Sequence, residues 1–143
     1  MTDFLSKKER SIRMSKIRSK DTKPELAVRK YLFSLGYRYR LHTSALPGSP
    51  DIVLPKYRTA IQVRGCFWHS HSCMKGKVPG NNRKYWQKKL DRNRERDNYN
   101  DSKLKKMGWK VVTLWECVVM DKVKIRSRMN HLQRKLKGKR DEL

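Results

Sequence analysis

The 143 residues are expected to fold as one α/β domain in which three helices alternate with short strands. Helical spacing of apolar residues marks runs over 22–35, 83–107 and 121–137. Between them, short aromatic and β-branched runs at 37–42, 51–54, 59–64 and 109–115 are set off by Gly, Pro and Asn clusters, which is the pattern of strands and turns. A hydrophobic fraction of 36% at this length is enough for one core and leaves a second domain cramped. The chain therefore divides into a basic arm (1–20), a folded domain (21–137) and a charged tail (138–143).

A formal net charge of +24 goes far beyond what solubility needs and points to a polyanion, with nucleic acid ahead of an acidic membrane. No apolar run approaches a membrane span or a signal-peptide core, so a soluble, cytoplasmic protein with no membrane partner is expected. Three cysteines without an oxidising address argue against a disulfide scaffold.

In chain order, the arm mixes Lys16, Arg18 and other cations with Met14 and two isoleucines. It is either a disordered basic tail or a segment that orders on phosphates and inserts an apolar side chain. Thr22, Pro24 and Glu25 form a helix start, with Thr22 as N-cap and Glu25 completing a capping box. The helix should bury Val28, Tyr31, Leu32 and Leu35 and stop at Gly36. Residues 37–42 alternate like a strand with one wet face, and 51–54 and 59–64 form adjacent strands that bring Asp51 close to the backbone of Val63. The long helix closed by Gly108 has an inward stripe of Trp86, Leu90, Asn93, Asp97, Asn100 or Asp101, Leu104 and Met107. Its polar middle is either simply wet or faces a polar pocket. Strand 109–115 delivers Glu116 and Cys117, and the last helix should pack on Val123, Ile125, Met129, Leu132 and Leu136.

Two sites carry chemistry. In 65–73, Cys66, Cys73, His69 and His71 crowd nine residues, and Cys117 is the remaining cysteine, so a Cys3His tetrahedral zinc site would use every cysteine in the chain. Unligated thiols in a reduced cytosol are the alternative. Separately, Pro50-Asp51 at a strand start, followed by Gln62-x-Arg64 on the next, has the outline of a PD-(D/E)XK nuclease signature, with Gln at the second acid and Arg at the lysine. Phosphodiester hydrolysis needs a carboxylate for a hard divalent cation and a nearby positive charge, and Arg64 could give only the latter. Without its neighbours Asp51 would pass for a turn aspartate.

The neighbours extend the pattern. Met14 to Glu25, Gly48-Ser49-Pro50-Asp51 to Pro55, Gly65-Cys66-Phe67-Trp68-His69-x-His71-x-Cys73, Tyr85-Trp86, Asn93-x-x-Arg96-Asp97 and Gly108-Trp109 to Trp115-Glu116-Cys117 closely resemble the very-short-patch repair (Vsr) DNA mismatch endonucleases, over roughly residues 8 to 135. The resemblance implies a restriction-endonuclease-like mixed sheet flanked by helices and strand-specific nicking at thymine-guanine mismatches left by deaminated 5-methylcytosine. It implies a functional link to a cytosine-5 DNA methyltransferase and repair proteins, with action as a monomer on nucleoid DNA. It makes Cys66, His71, Cys73 and Cys117 zinc ligands, and Asp51 with the Val63 carbonyl the ligands of catalytic magnesium. His69 and Asn93 then manage water and phosphate, Glu25 assists, and Phe67, Trp68 and Trp86 wedge into the base stack beside Met14, Lys16 and Arg18 as DNA contacts. Where the family has an aromatic and a histidine, this chain has Gln62 and Arg64. Two other readings are a restriction-type nicking nuclease for a different lesion and a catalytically silent, zinc-stabilised nucleic-acid-binding module.

Overall fold

The computed structural model describes residues 21–73 and 77–141. The elements are helix α1 (Lys23–Ser34), strands β1 (Arg40–Leu41) and β2 (Ile52–Leu54), a 3-10 turn (Pro55–Tyr57), strand β3 (Thr59–Arg64), helix α2 (Arg83–Lys106), strand β4 (Lys110–Trp115), a short helix α3 (Glu116–Val119) and helix α4 (Lys122–Asp141). The four strands form one mixed sheet in chain order, antiparallel from β1 to β3 and parallel between β3 and β4. Among the described residues, no helix is long and apolar enough to cross a membrane.

Local chemistry sets the helix ends. The Thr22 hydroxyl accepts the Glu25 N–H at 3.4 Å, and Pro24 sits in the first turn. The capping box is displaced by one residue, because the Glu25 carboxylate accepts the N–H of Asp21 at 3.0 Å. Helix α2 ends before Gly108, whose φ of +89° is the left-handed conformation that closes a helix at little cost only for glycine.

Side-chain alternation divides the sheet into two faces. Ile52, Leu54, Ile61, Val63, Val112 and Leu114 lie on one face, packed with Val28 and Leu32 of α1, Val119 of α3 and Ile125, Met129, Leu132 and Leu136 of α4. Gln62, Arg64 and Thr113 alternate with these residues and point to the other face, where α2 lies. The sheet is thus a partition with the main apolar core behind it, while the α2 side joins buried Val53, Ala60, Leu90 and Leu104 to a polar cleft.

Four side chains depart from the expected burial. Leu35 and Met107, each the last residue before a terminating glycine, are exposed, and Tyr31 is only partly buried against the core. Val123 is 78% exposed because the packed positions 125, 129, 132 and 136 follow a spacing of three and four that leaves 123 on the outer side. The strand expected over 37–42 shortens to two residues. The Tyr37 N–H still serves the helix end by donating to the Leu32 carbonyl, and a left-handed φ of 45° at His42 breaks the ladder.

Candidate active site and metal centre

The cleft forms where β2 and β3 meet the first turn of α1, and it encloses about 800 Å³. The register Ile52↔Ile61 sets Asp51 one step before β2 and opposite the end of β3, where its carboxylate accepts the Val63 N–H at 2.7 Å. Burial raises the Asp51 pKa to about 6, and the neighbouring Glu25 carboxylate pushes the same way, while the Val63 N–H and His42 oppose the rise. Glu25 is 2% exposed and meets Arg29 at 2.9 Å and His42 Nε2 at 3.1 Å, so its surroundings go well beyond a helix cap. Arg29 also pairs with Asp21 at 2.7 Å, so one guanidinium is shared by two carboxylates of this corner.

Helix α2 supplies the opposite wall. Asn93, Asp97, Asn100 and Asp101 recur at helical spacing and all line the cleft, so the polar middle of the stripe faces a polar pocket. His69 Nδ1 lies 2.5 Å from Asp97 Oδ2. A carboxylate can only accept, so Nδ1 carries the hydrogen and Nε2 is the free nitrogen. Asn93 donates to the Trp68 carbonyl at 3.1 Å and accepts from Arg96 at 3.3 Å. It therefore braces the loop that carries Trp68 and His69. Arg64 reaches both carboxylate oxygens of Asp101, at 2.8 and 2.9 Å. Gly48 seals the top of the cleft: with φ +75°, a Cβ there would sit 3.0 Å from the side chain of Asn100.

The second cluster lies next to the cleft. The ligand atoms of Cys66, His71, Cys73 and Cys117 all lie within 4.8 Å of one another. Cys117 Sγ to His71 Nδ1 is 3.6 Å, matching the roughly 3.5–3.8 Å between ligands of tetrahedral zinc at ordinary bond lengths. Three thiols and an imidazole fit zinc in geometry and in donor softness. Burial and the adjacent thiols push the Cys66 pKa up to about 12. Around these donors, the Cys117 N–H donates to Cys66 Sγ at 3.4 Å, Glu116 accepts the Cys66 N–H at 3.3 Å, and the His71 ring stacks on Trp115 with centroids 4.1 Å apart. Asp21, Glu25 and His42 are also close enough to share an ion, but Arg29 already bridges both carboxylates.

Phe67, Trp68 and Trp86 form a T-shaped cluster with centroid separations of 5.1, 5.4 and 5.9 Å. All three are half-buried and none belongs to the core, while Lys89 Nζ stands 5.3 Å from the Trp68 ring and 5.7 Å from that of Trp86. Met14, Lys16 and Arg18 lie outside the described residues. The partners that sequence reasoning missed are His42 beside Glu25 and Asp101 beside Arg64. The signal for Asp101 was its place in the polar stripe, whereas His42 had none, since only the fold brings it to α1.

The family model of the DNA mismatch endonuclease Vsr matches residues 2–75. The type II nicking enzyme V.NmeAIP of Neisseria meningitidis serogroup A is 47% identical over 137 residues, covering 96% of this chain and 98% of its own. The type II nicking enzyme V.XorIIP of Xanthomonas oryzae pv. oryzae is 44% identical over 132 residues, covering 92% of this chain and 97% of its own. The DNA mismatch endonuclease Vsr of Escherichia coli K12 is 38% identical over 125 residues, covering 87% and 80% respectively.

Proposed function

Because the chain belongs to the Vsr DNA mismatch endonuclease family, and so is a DNA endonuclease, we propose that it nicks one strand of duplex DNA at a thymine mispaired with guanine, in a magnesium-dependent hydrolysis. The observation that carries this reading is the sharing of one cleft by the Asp51 carboxylate and the His69–Asp97 pair, beside a half-exposed aromatic cluster.

The residues present fit a hard divalent cation. Asp51 offers a carboxylate oxygen, and a strand residue projects its C=O to the same side as its N–H, so the Val63 carbonyl flanks the carboxylate its N–H binds. Bound there, magnesium supplies Lewis acidity to the scissile phosphate. The protein's own part is to hold the proton acceptor: Asp97 fixes the His69 tautomer, and the free Nε2 takes a proton from the attacking water. Phe67, Trp68 and Trp86 open the base step, which costs least where pairing is already faulty. A thymine opposite guanine is what deamination of 5-methylcytosine leaves, which links the activity to a cytosine-5 DNA methyltransferase. Zinc at Cys66, His71, Cys73 and Cys117 has a structural part, pinning the loop that carries the aromatics and His69.

A second reading is favoured by the relatives named type II nicking enzymes: the same cleft nicking within a restriction-type recognition sequence. Incubation with T:G, other mismatched and fully paired duplexes, with magnesium or with chelator, tests both. We expect one nicked strand, in the T:G duplex and with magnesium. Equal nicking of paired duplex overturns the mismatch reading, and nicking in chelator overturns the cation.

A further inference from the structure

We propose that Asp101, acting through Arg64, is a positioning residue for His69, an inference that rests on the nuclease reading of the cleft. Arg64 ends β3 with its side chain turned onto α2 and 12% exposed. Its Nη2 meets Asp101 at 2.8 and 2.9 Å, its Nη1 lies 3.5 Å from the Thr113 hydroxyl, and its Nε stands 4.0 Å from Asp97 Oδ2. That same Asp97 oxygen meets His69 Nδ1. A nuclease-signature lysine would have to reach a phosphate, but this guanidinium is held by Asp101 and faces Asp97 within the protein.

Asp97 and Asp101 stand one turn apart on α2, where like charges repel. Arg64 sits between them as the only arginine or lysine within 4 Å of either among the described residues. Held to Asp101, it keeps Asp97 turned toward His69 and leaves His69 Nε2 to the cleft. The planar fork is needed for this, because a lysine ammonium can neutralise one carboxylate but cannot span Asp101 and also stand beside Asp97. Asp101 thereby acquires a functional part without touching the reacting atoms, and Arg64 acts on the reaction through the helix.

The test uses Asp101→Asn, Arg64→Lys and Arg64→Ala in the full chain, alone and on a His69→Ala background, with single-turnover nicking and duplex affinity measured separately. Each single variant should slow nicking by about tenfold, the scale for losing an outer partner of a functional histidine, with affinity unchanged. On the His69→Ala background none should slow it further. Nitrogen-15 NMR of the imidazole should show the Nδ1–H tautomer in the parent and a tautomer mixture in Asp101→Asn. This arm requires no activity, so it decides the positioning even if the parent nicks nothing, an outcome that defeats only the nuclease reading. An Arg64→Lys variant as fast as the parent, losses that multiply with His69→Ala, or an unchanged tautomer in Asp101→Asn overturns the proposal.

Discussion

The cleft and the Cys/His cluster lie side by side at one end of the sheet, yet they are held together by different means. In the cleft, each key side chain is fixed by a protein partner on a regular element: Asp51 by the Val63 N–H, Glu25 by Arg29, His69 by Asp97 and Arg64 by Asp101. Its carboxylates outnumber its arginines, so the cleft keeps an excess of negative charge. In the cluster, four donor atoms converge from a loop of turns and a short helix, where the His71 N–H donates to the Cys66 carbonyl, the Cys117 N–H donates to Cys66 Sγ and the His71 ring stacks on Trp115. A site built on strands and helices keeps its shape without its ion, whereas one built on turns depends on the ion to exist.

Loss of the metal proposed for the cluster should therefore have the largest effect. With zinc bound as proposed, Cys117→Ser should lose it together with several kcal/mol of stability. Nicking should fall with it, since Phe67, Trp68 and His69 lie between Cys66 and His71. Metal content and thermal unfolding measure this, and a variant that melts with the parent would erase the contrast between the two sites.

Asp51→Asn should be narrower in effect, abolishing nicking while leaving fold and duplex affinity intact, because many phosphate contacts survive. It should also expose a pH signature in chelator. The folded pKa of Asp51, about 6, is above its ordinary 3.8, so the folded state holds the proton more tightly. Asp51 therefore costs nothing at low pH, and its cost grows as pH rises through that window. Relative to Asp51→Asn, the parent should lose stability over that interval and stay lower above it. A difference that does not vary with pH would mean that Asp51 is not desolvated as described.

The smallest effect sharpens the comparison at the boundary of the two sites. Trp68→Ala and Trp86→Ala should reduce discrimination between mismatched and paired duplex by about tenfold with little change in overall affinity. Variants that keep discrimination but melt earlier would make the aromatics packing elements of the metal loop.

What was legible in the sequence is what local chemistry decides. Thr22, Pro24, Gly36 and Gly108 punctuate helices through backbone conformations that their own residue types favour, and the β2–β3 hairpin brings Asp51 to Val63 because a short turn leaves the strands little choice of register. The polar middle of α2 announced a pocket by breaking an apolar period. Contacts across long separations gave no such sign. Nothing local pairs β3 with β4 in parallel, ties Arg64 to Asp101, or brings His42 to Glu25. The short β1 was misjudged for a related reason: alternation at 37–42 is real, but tertiary packing of Tyr37 and Tyr39 against the core uses it in place of strand pairing.

The parallel pairing of Arg64 with Trp115 has a consequence for how the chain can change length. Cys66 and Cys117 each follow that pair by two residues, so the two strands leave the sheet in step and present their thiols together. One residue added to either strand would advance one thiol by about 3.3 Å and turn its side chain to the other face, parting the ligands. The connection at 77–82, between the cluster and α2, carries no such constraint and can absorb insertions.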